Sequence, residues 1–272
     1  MVGLVAGGGQ FPFILARQAR EMGFRVGAVG FSGFTDPALA AEVDTWQELP
    51  MGQLNKLITF FKNNNIKRLA LAGAIEKPKA IQVRPDFRTV KILLGMKNKG
   101  DDALLRSLIA ELESEGLEVL QPADLVPGLR APQGILGACK PGKEQWDDLR
   151  LAYQVLKTIG PLDIGQCVVV KDGIVAAVEA IEGTDAAIRR GAGLAGAGCV
   201  VLKMLKAGQD QRIDLPSLGL QTVELMKEVK ASCLGFEAGR TLFFDLNEAV
   251  KQADAAGISL VGLSGQEFEP GN

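Results

Sequence analysis

The stretch "VGLVAGGGQFPFILARQAREMGFRVGAVGF", Val2–Phe31, decides the fold. Its first five residues, Val2–Ala6, are a continuous apolar run with the length of a buried strand. "AGGGQFP" (Ala6–Pro12) breaks that run, and "FPFILARQAREMG" follows with helical apolar spacing until Gly23 stops it. "FRVGAVGF", Phe24–Phe31, is a second apolar strand. Strand, glycine turn, helix and strand make the repeating unit of a parallel sheet. Working outward, Leu54, Leu57, Ile58 and Phe61 mark one face of a further helix, and "KRLALAGA" (Lys67–Ala74) is a third strand. "GDDALLRSLIAELESEG" opens on Asp101 and Asp102, acids that the helix dipole favours, and sets Leu104, Leu105, Leu108, Ile109 and Leu112 on one face. "VLQPADLVP" supplies a fourth strand and its exit. Residues 1–130 are therefore expected to form a Rossmann-like domain of parallel sheet and helices.

From Val126 to Lys143, "VPGLRAPQGILGACKPGK" holds three prolines and four glycines without periodicity. It reads as a connection, with residues 131–146 as the linker. The second domain, 147–272, is expected to be α/β as well. A helix near Asp147–Ile159 starts it, and "GQCVVVKDGIVAAVEAIEG" is a hairpin turning at Asp172-Gly173. "GCVVLKML" is a strand, helices follow from Thr222 and near Asn247–Ala256, and "ISLVGL" is the last strand.

Composition narrows the chemistry. The 272 residues carry 30 basic and 32 acidic side chains, a net charge of −2 that gives no general field for nucleic acid. No apolar run reaches the ~18–20 residues of a membrane span, and the first residues lack a basic signal-peptide flank. Cys139, Cys167, Cys199 and Cys233 are widely spaced and read as reduced, mostly buried thiols of a cytoplasmic protein. There is no histidine. Ser-His-Asp and Cys-His catalysis and histidine-ligated metals are thereby excluded. What remains is carboxylates, Lys and Arg, backbone amides and a hard, oxygen-loving metal.

Three segments concentrate groups of that kind. The turn Gly7, Gly8, Gly9, Gln10 lets backbone amides approach a phosphate at a helix N-terminus, although a tight turn also calls for glycine. It is neither a Walker A loop nor a full dinucleotide fingerprint, since the third glycine and the ribose-binding acid are missing. "VEAIEGTDAAIRR" (Val178–Arg190) gathers Glu179, Glu182, Thr184, Asp185, Arg189 and Arg190 around one glycine. A polar turn with Thr184 or Asp185 as helix cap is the plainer account. "VLKMLKAGQDQRIDLPSLG" (Val201–Gly219) mixes both signs of charge before a proline corner. Lys203, Lys206 and Arg212 are suited to hold a diphosphate, and Asp210 or Asp214 a divalent cation or a water beside it.

"AGGGQFP", "KGDDALLR", "DIGQCVVV", "VEAIEGTDAAIRR", "QDQRIDLPSLG" and "EAGRTL" occur in an order that resembles the UDP-2,3-diacylglucosamine pyrophosphatases of the LpxI type, over roughly Val2 to Gly262. The resemblance implies hydrolysis of UDP-2,3-diacylglucosamine to UMP and 2,3-diacylglucosamine 1-phosphate (lipid X) in lipid A biosynthesis. It also implies two lobes with a cleft between them for the lipid, dependence on Mg²⁺, with Mn²⁺ as an alternative, and water attacking the phosphorus nearer the glucosamine. Asp214 matches the family's essential carboxylate, a metal ligand or water-orienting group. Asp214, Lys203 and Arg212 become the catalytic candidates, and Asp214 and Asp210 the metal candidates. Gly7, Gly8, Gly9, Gln10, Gln166, Glu179, Thr184, Asp185, Lys206 and Gln209 become the substrate-binding ones. The family pattern differs mildly, with Thr-Ile for Ser217-Leu218 and proline for Ala207. A homodimer and peripheral contact with the inner face of the inner membrane stay open. So do two rival readings, a non-catalytic nucleotide-sugar or lipid-binding protein and a nucleotide-dependent oxidoreductase.

Overall fold

The computed structural model describes residues 1–73, 84–96, 101–206, 210, 212 and 215–268; of residues 101 and 102 it describes the backbone alone. The chain divides into two compact units.

The first unit comprises residues up to 127, together with Asp210 and Arg212. Strand β1 (Val2–Ala6) lies at its centre, pairing in parallel with β2 (Val26–Phe31) and with β4 (Arg68–Ala72). β2 pairs with β3 (Thr45–Leu49), and β4 with β5 (Glu118–Leu120), so the order is β3-β2-β1-β4-β5, all parallel. This is the expected Rossmann-like sheet. β1 and β2 are buried along their whole length, which is why their sequences read as unbroken apolar runs rather than alternating ones. Helices α1 (Phe11–Glu21), α2 (Leu54–Asn63), α3 (Phe87–Gly95), α4 (Asp101–Ser114) and the single turn α5 (Pro122–Leu125) flank it. Leu57, Ile58 and Phe61 of α2 meet Ile109 and Leu112 of α4 in one core cluster. The leucine stripe of α4 is only partly used: Leu112 is fully buried, whereas Leu104 is 38% exposed. β3 was not expected, because an edge strand with half-exposed residues shows no apolar run.

The second unit comprises residues 128–206 and 215–268. Its six-stranded mixed sheet contains β6 (Gly134–Leu136), β7 (Cys167–Lys171), β8 (Ile174–Val178), β9 (Val200–Lys203), β11 (Cys233–Glu237) and β13 (Ser259–Leu263), in the order β6-β13-β11-β9-β7-β8. β9, β11 and β13 are parallel, while β7 runs against both β8 and β9. β10 (Ser217–Leu218) and β12 (Leu242–Phe243) form a separate short parallel pair. Alternate residues serve opposite faces, as a pleated strand requires. Cys167 and Val169 join the cluster under α7 (Thr184–Ala195), α8 (Leu220–Glu228) and α9 (Leu246–Ala255), while Val168 and Val170 join the one under α6 (Lys143–Ile159). The hairpin turns at Asp172-Gly173 as expected.

Two differences from the sequence reading follow from local physics. The stretch 131–146 does not run free of the second unit: Ala131 is buried, β6 pairs with β13 and α6 begins at Lys143. A three-residue edge strand among glycines and prolines is too short to show a period. β11, in the body of the sheet, was also missed. Its interior Gly235 interrupts the apolar run, and a Cβ there would stand 2.5 Å from a methyl of Leu149 and 2.9 Å from one of Leu202. Close packing of α6 demands that glycine.

Candidate functional site

In the order β3-β2-β1-β4-β5 the chain reverses direction of growth between β1 and β4, where open α/β sheets bind ligands beyond the strand ends. The glycine turn emerges there. The Gly7 amide donates to the Ala72 carbonyl at 2.7 Å, and a Cβ on Gly73, whose φ is +91°, would sit 2.5 Å from the Gly8 oxygen. The turn and the end of β4 thus touch backbone to backbone. Thr35 secures it from below, its hydroxyl donating to the Ala6 carbonyl at 2.6 Å and accepting from the Phe31 amide at 2.8 Å. Gly9 takes a φ of +85°, and Gly9 and Gln10 are exposed. Gln10 precedes α1 without capping it through its side chain, so the positive end of the helix dipole lies beside an exposed glycine.

Asp210 and Arg212, which the sequence reading gave to different partners, bind each other. Arg212 donates from Nε to Asp210 at 2.9 and 3.1 Å and from Nη2 at 2.6 Å, and its amide donates to Oδ1 at 3.0 Å. Its Nη1 reaches Glu113 of α4 at 2.7 Å. The Arg212 guanidinium holds the Asp210 carboxyl below the usual carboxylate range, and Asp210 in turn raises Arg212. A cation at Asp210 would have to displace that fork. Asp214 and Gln209 lie outside the described residues. Among the described residues no group of three or more His, Cys, Asp or Glu is placed to hold a metal ion. The described residues alone therefore do not make a Mg²⁺ site.

In the second unit several candidates converge at one end of the strands β7, β8 and β9 of the mixed sheet. β9 ends at Lys203, which pairs in register with Cys167 at the start of antiparallel β7, so Gln166 stands beside it. β8 returns to the same end, where Glu179 is buried at 6% exposure. Glu179 accepts from the Gln166 amide at 3.1 Å and from the Thr184 hydroxyl at 3.1 Å, joining β7 to the first turn of α7. Gly183 is the N-cap, so Thr184 and Asp185 are first-turn residues rather than side-chain caps. Asp185 is exposed. Lys203 is 9% exposed and its Nζ donates to the Ser217 carbonyl at 3.2 Å. The Gln166 side-chain oxygen is buried without a partner among the described residues. Gln166, Glu179, Thr184 and Lys203 thus form one constellation. Burial and then the nearby Glu179 push the Cys167 thiol upward, which keeps it protonated beneath the site.

Other candidates point elsewhere. Glu182 turns outward to Arg190, whose side chain is the main reason its carboxyl lies low. Lys206 pairs with Asp163 at 2.5 Å. Sequence reasoning missed Gly165, Glu237 and Arg240. Gly165 has a φ of +43°, and a Cβ there would fall 1.9 Å from the Glu179 carbonyl oxygen, so only glycine lets the two loops meet. Glu237 ends β11 beside Lys203, accepting from the Leu205 amide at 3.2 Å and pairing with Arg240 at 2.8 Å. "DIGQCVVV" and "EAGRTL" carried these residues, but nothing in their spacing singled them out.

A parallel sheet with a glycine turn at its switch point and a mixed sheet with a buried lysine and carboxylate at its strand ends define a two-domain α/β protein with features suited to a phosphorylated ligand. Residues 1–129 match the LpxI N-terminal domain and residues 132–261 the LpxI C-terminal domain, so the chain belongs to the LpxI family. UDP-2,3-diacylglucosamine pyrophosphatase LpxI of Caulobacter vibrioides is 34% identical over 278 residues, covering 98% of each chain. Among solved structures, N5-carboxyaminoimidazole ribonucleotide synthetase from Thermus thermophilus is 13% identical with a TM-score of 0.27, over 74% of this chain and 46% of that one. No helix among the described residues is long and apolar enough to cross a membrane.

Proposed function

We propose that this protein is a UDP-2,3-diacylglucosamine pyrophosphatase of lipid A biosynthesis, hydrolysing the diphosphate to UMP and 2,3-diacylglucosamine 1-phosphate. The end-to-end relationship to the Caulobacter enzyme carries this reading, since both family domains are present and 98% of each chain aligns. Hydrolysis of a diphosphate needs positive charge against the bridging and departing oxygens and a group that orients water. The buried Lys203 suits the first task. Asp214, by family resemblance, takes the second. Glu179 keeps Gln166 and the start of α7 in place. A requirement for Mg²⁺, which Mn²⁺ replaces, belongs to the proposal; the support for it is a chain that offers oxygen donors and no imidazole. A cytoplasmic location with peripheral contact at the inner membrane is part of the same reading, because a diacylated substrate resides in a bilayer.

The test is incubation of the full chain with UDP-2,3-diacylglucosamine and Mg²⁺, following UMP and the sugar phosphate. Both should appear in equal amounts. Tight binding without UMP would instead identify a non-catalytic nucleotide-sugar or lipid-binding protein.

A further inference from the structure

Helix α3 presents two unlike faces. The inner one is fixed to the first unit: Arg88 pairs with Glu111 at 3.0 Å and Glu115 at 2.5 Å, the Thr89 hydroxyl donates to the Gly52 carbonyl at 2.7 Å, and Ile92 packs on the core. Asp86 caps the helix, accepting from the Thr89 amide, and takes a second hydrogen bond from the Asn55 amide. The outer face carries Phe87, Lys91 and Leu94 at helical spacing, with Leu93 beside them. Phe87 is 83% exposed and Leu94 82%. Arg84 and Lys91 are exposed and have no ion-pair partner among the described residues. A groove of about 350 Å³ between α3 and α4 continues this face, with Arg88, Lys91 and Ser107 on its walls; its Glu111 is already paired with Arg88.

We propose that α3 is the element through which this protein docks on an anionic lipid surface. Bare apolar side chains interleaved with uncompensated cations match a bilayer interface, where the apolar groups enter the acyl boundary and the cations meet lipid phosphates. The one acid at the head of the helix is consumed as its cap, so among the described residues no carboxylate of α3 opposes that charge. The inference rests on the reading that the substrate is a diacylated lipid, and it names the surface that would bring the enzyme to it. The inner-face anchors leave the outer face free to be buried without unfolding the helix. A helix this short gives weak, reversible binding, as a peripheral enzyme that must leave its product requires.

Sedimentation of the full chain with sucrose-loaded vesicles tests this. Vesicles of phosphatidylcholine doped with phosphatidylglycerol should carry the protein down, pure phosphatidylcholine should not, and high salt should release it. Phe87→Ser/Leu94→Ser and Lys91→Glu should each weaken vesicle binding by about tenfold or more. Lys91→Arg should retain it. The variants should keep the wild-type melting temperature and the wild-type rate of UMP release from detergent-dispersed substrate. A wild-type protein that ignores anionic vesicles, or variants that bind like wild type, would overturn the docking role. So would variants that change the oligomeric mass by light scattering without changing vesicle binding, since the face would then serve a second copy. UMP release without vesicle binding refutes the docking alone, and vesicle binding without UMP release refutes the enzymatic reading alone.

Discussion

Glu179 occupies a position where a single carboxylate serves two elements. Its two oxygens accept from the Gln166 amide and the Thr184 hydroxyl, and it is nearly buried. Leaving a buried donor without its acceptor costs about 1–3 kcal/mol. Glu179→Ala strands two such donors and should lower the melting temperature clearly, whereas Glu179→Gln keeps an acceptor oxygen and should lose much less. Equal melting temperatures for the two variants would mean that the hydrogen bonds contribute little and that another property of Glu179 matters. Asp214 calls for the opposite signature. If it orients water or binds a cation, Asp214→Ala should reduce kcat by more than ~10³-fold, about 4 kcal/mol of transition-state stabilisation, with substrate binding intact. A variant with a lowered melting temperature and an undiminished single-turnover rate would remove Asp214 from the chemistry. The sequence revealed which residue types belonged together, but it left the geometry hidden. Glu179 and Glu182 stand three residues apart in one motif, yet one turns inward to a hydroxyl and an amide and the other outward to Arg190.

Elements were legible where burial imposed a pattern. β1, β2 and β4 are apolar because both faces of their sheet are covered, and α2 shows its core face at helical spacing. β3, β6 and β11 escaped notice, the first two as edge strands and the third because Gly235 breaks its run. α3 escaped for a further reason: it buries no residue completely, so it has no core stripe to read. The segment around Asp210 shows what sequence cannot apportion. Clustered opposite charges suggest an anion and a cation site, and the structure adds that Arg212 ties Asp210 to Glu113 on α4. That pairing has a pH signature. The Arg212 hydrogen bonds hold the Asp210 pKa below its unfolded value near 3.9. The resulting stability is fully present above the unfolded value and is lost as pH falls through the folded one. The melting temperature of Asp210→Asn should therefore lie below wild type at neutral pH, and the gap should close below about pH 4. A gap that stays constant into strong acid would show that the ion pair contributes nothing to folding.

Across the whole molecule, the inventory of donors constrains any metal more tightly than any single loop does. The chain has no imidazole to offer. Its thiols are also poor ligands: Cys167, Cys199 and Cys233 are buried, burial pushes Cys233 up to about 12, and burial with nearby Asp254 raises Cys139. Zinc binds the thiolate, the form that burial disfavours at these positions. What is left is carboxylate and carbonyl oxygen, the donor set of hard cations that keep much of their water shell. The same inventory leaves a diphosphate hydrolase without a histidine base, so lysine, arginine and backbone amides, with a hard cation under the Mg²⁺ proposal, are the groups left to meet the charge that builds on the departing phosphate. Activity should therefore collapse in excess EDTA, return with Mg²⁺ or Mn²⁺, and be indifferent to a chelator selective for zinc. Thiol alkylation of the native protein should be slow and leave UMP release unchanged, because the same raised thiols are neither ligands nor nucleophiles. Undiminished turnover in EDTA, with metal removal confirmed by elemental analysis, would mean that Lys203 and the amide donors suffice alone, and Asp214 would then act on water directly. Restoration by zinc but not by Mg²⁺ would overturn the assignment to a hard cation.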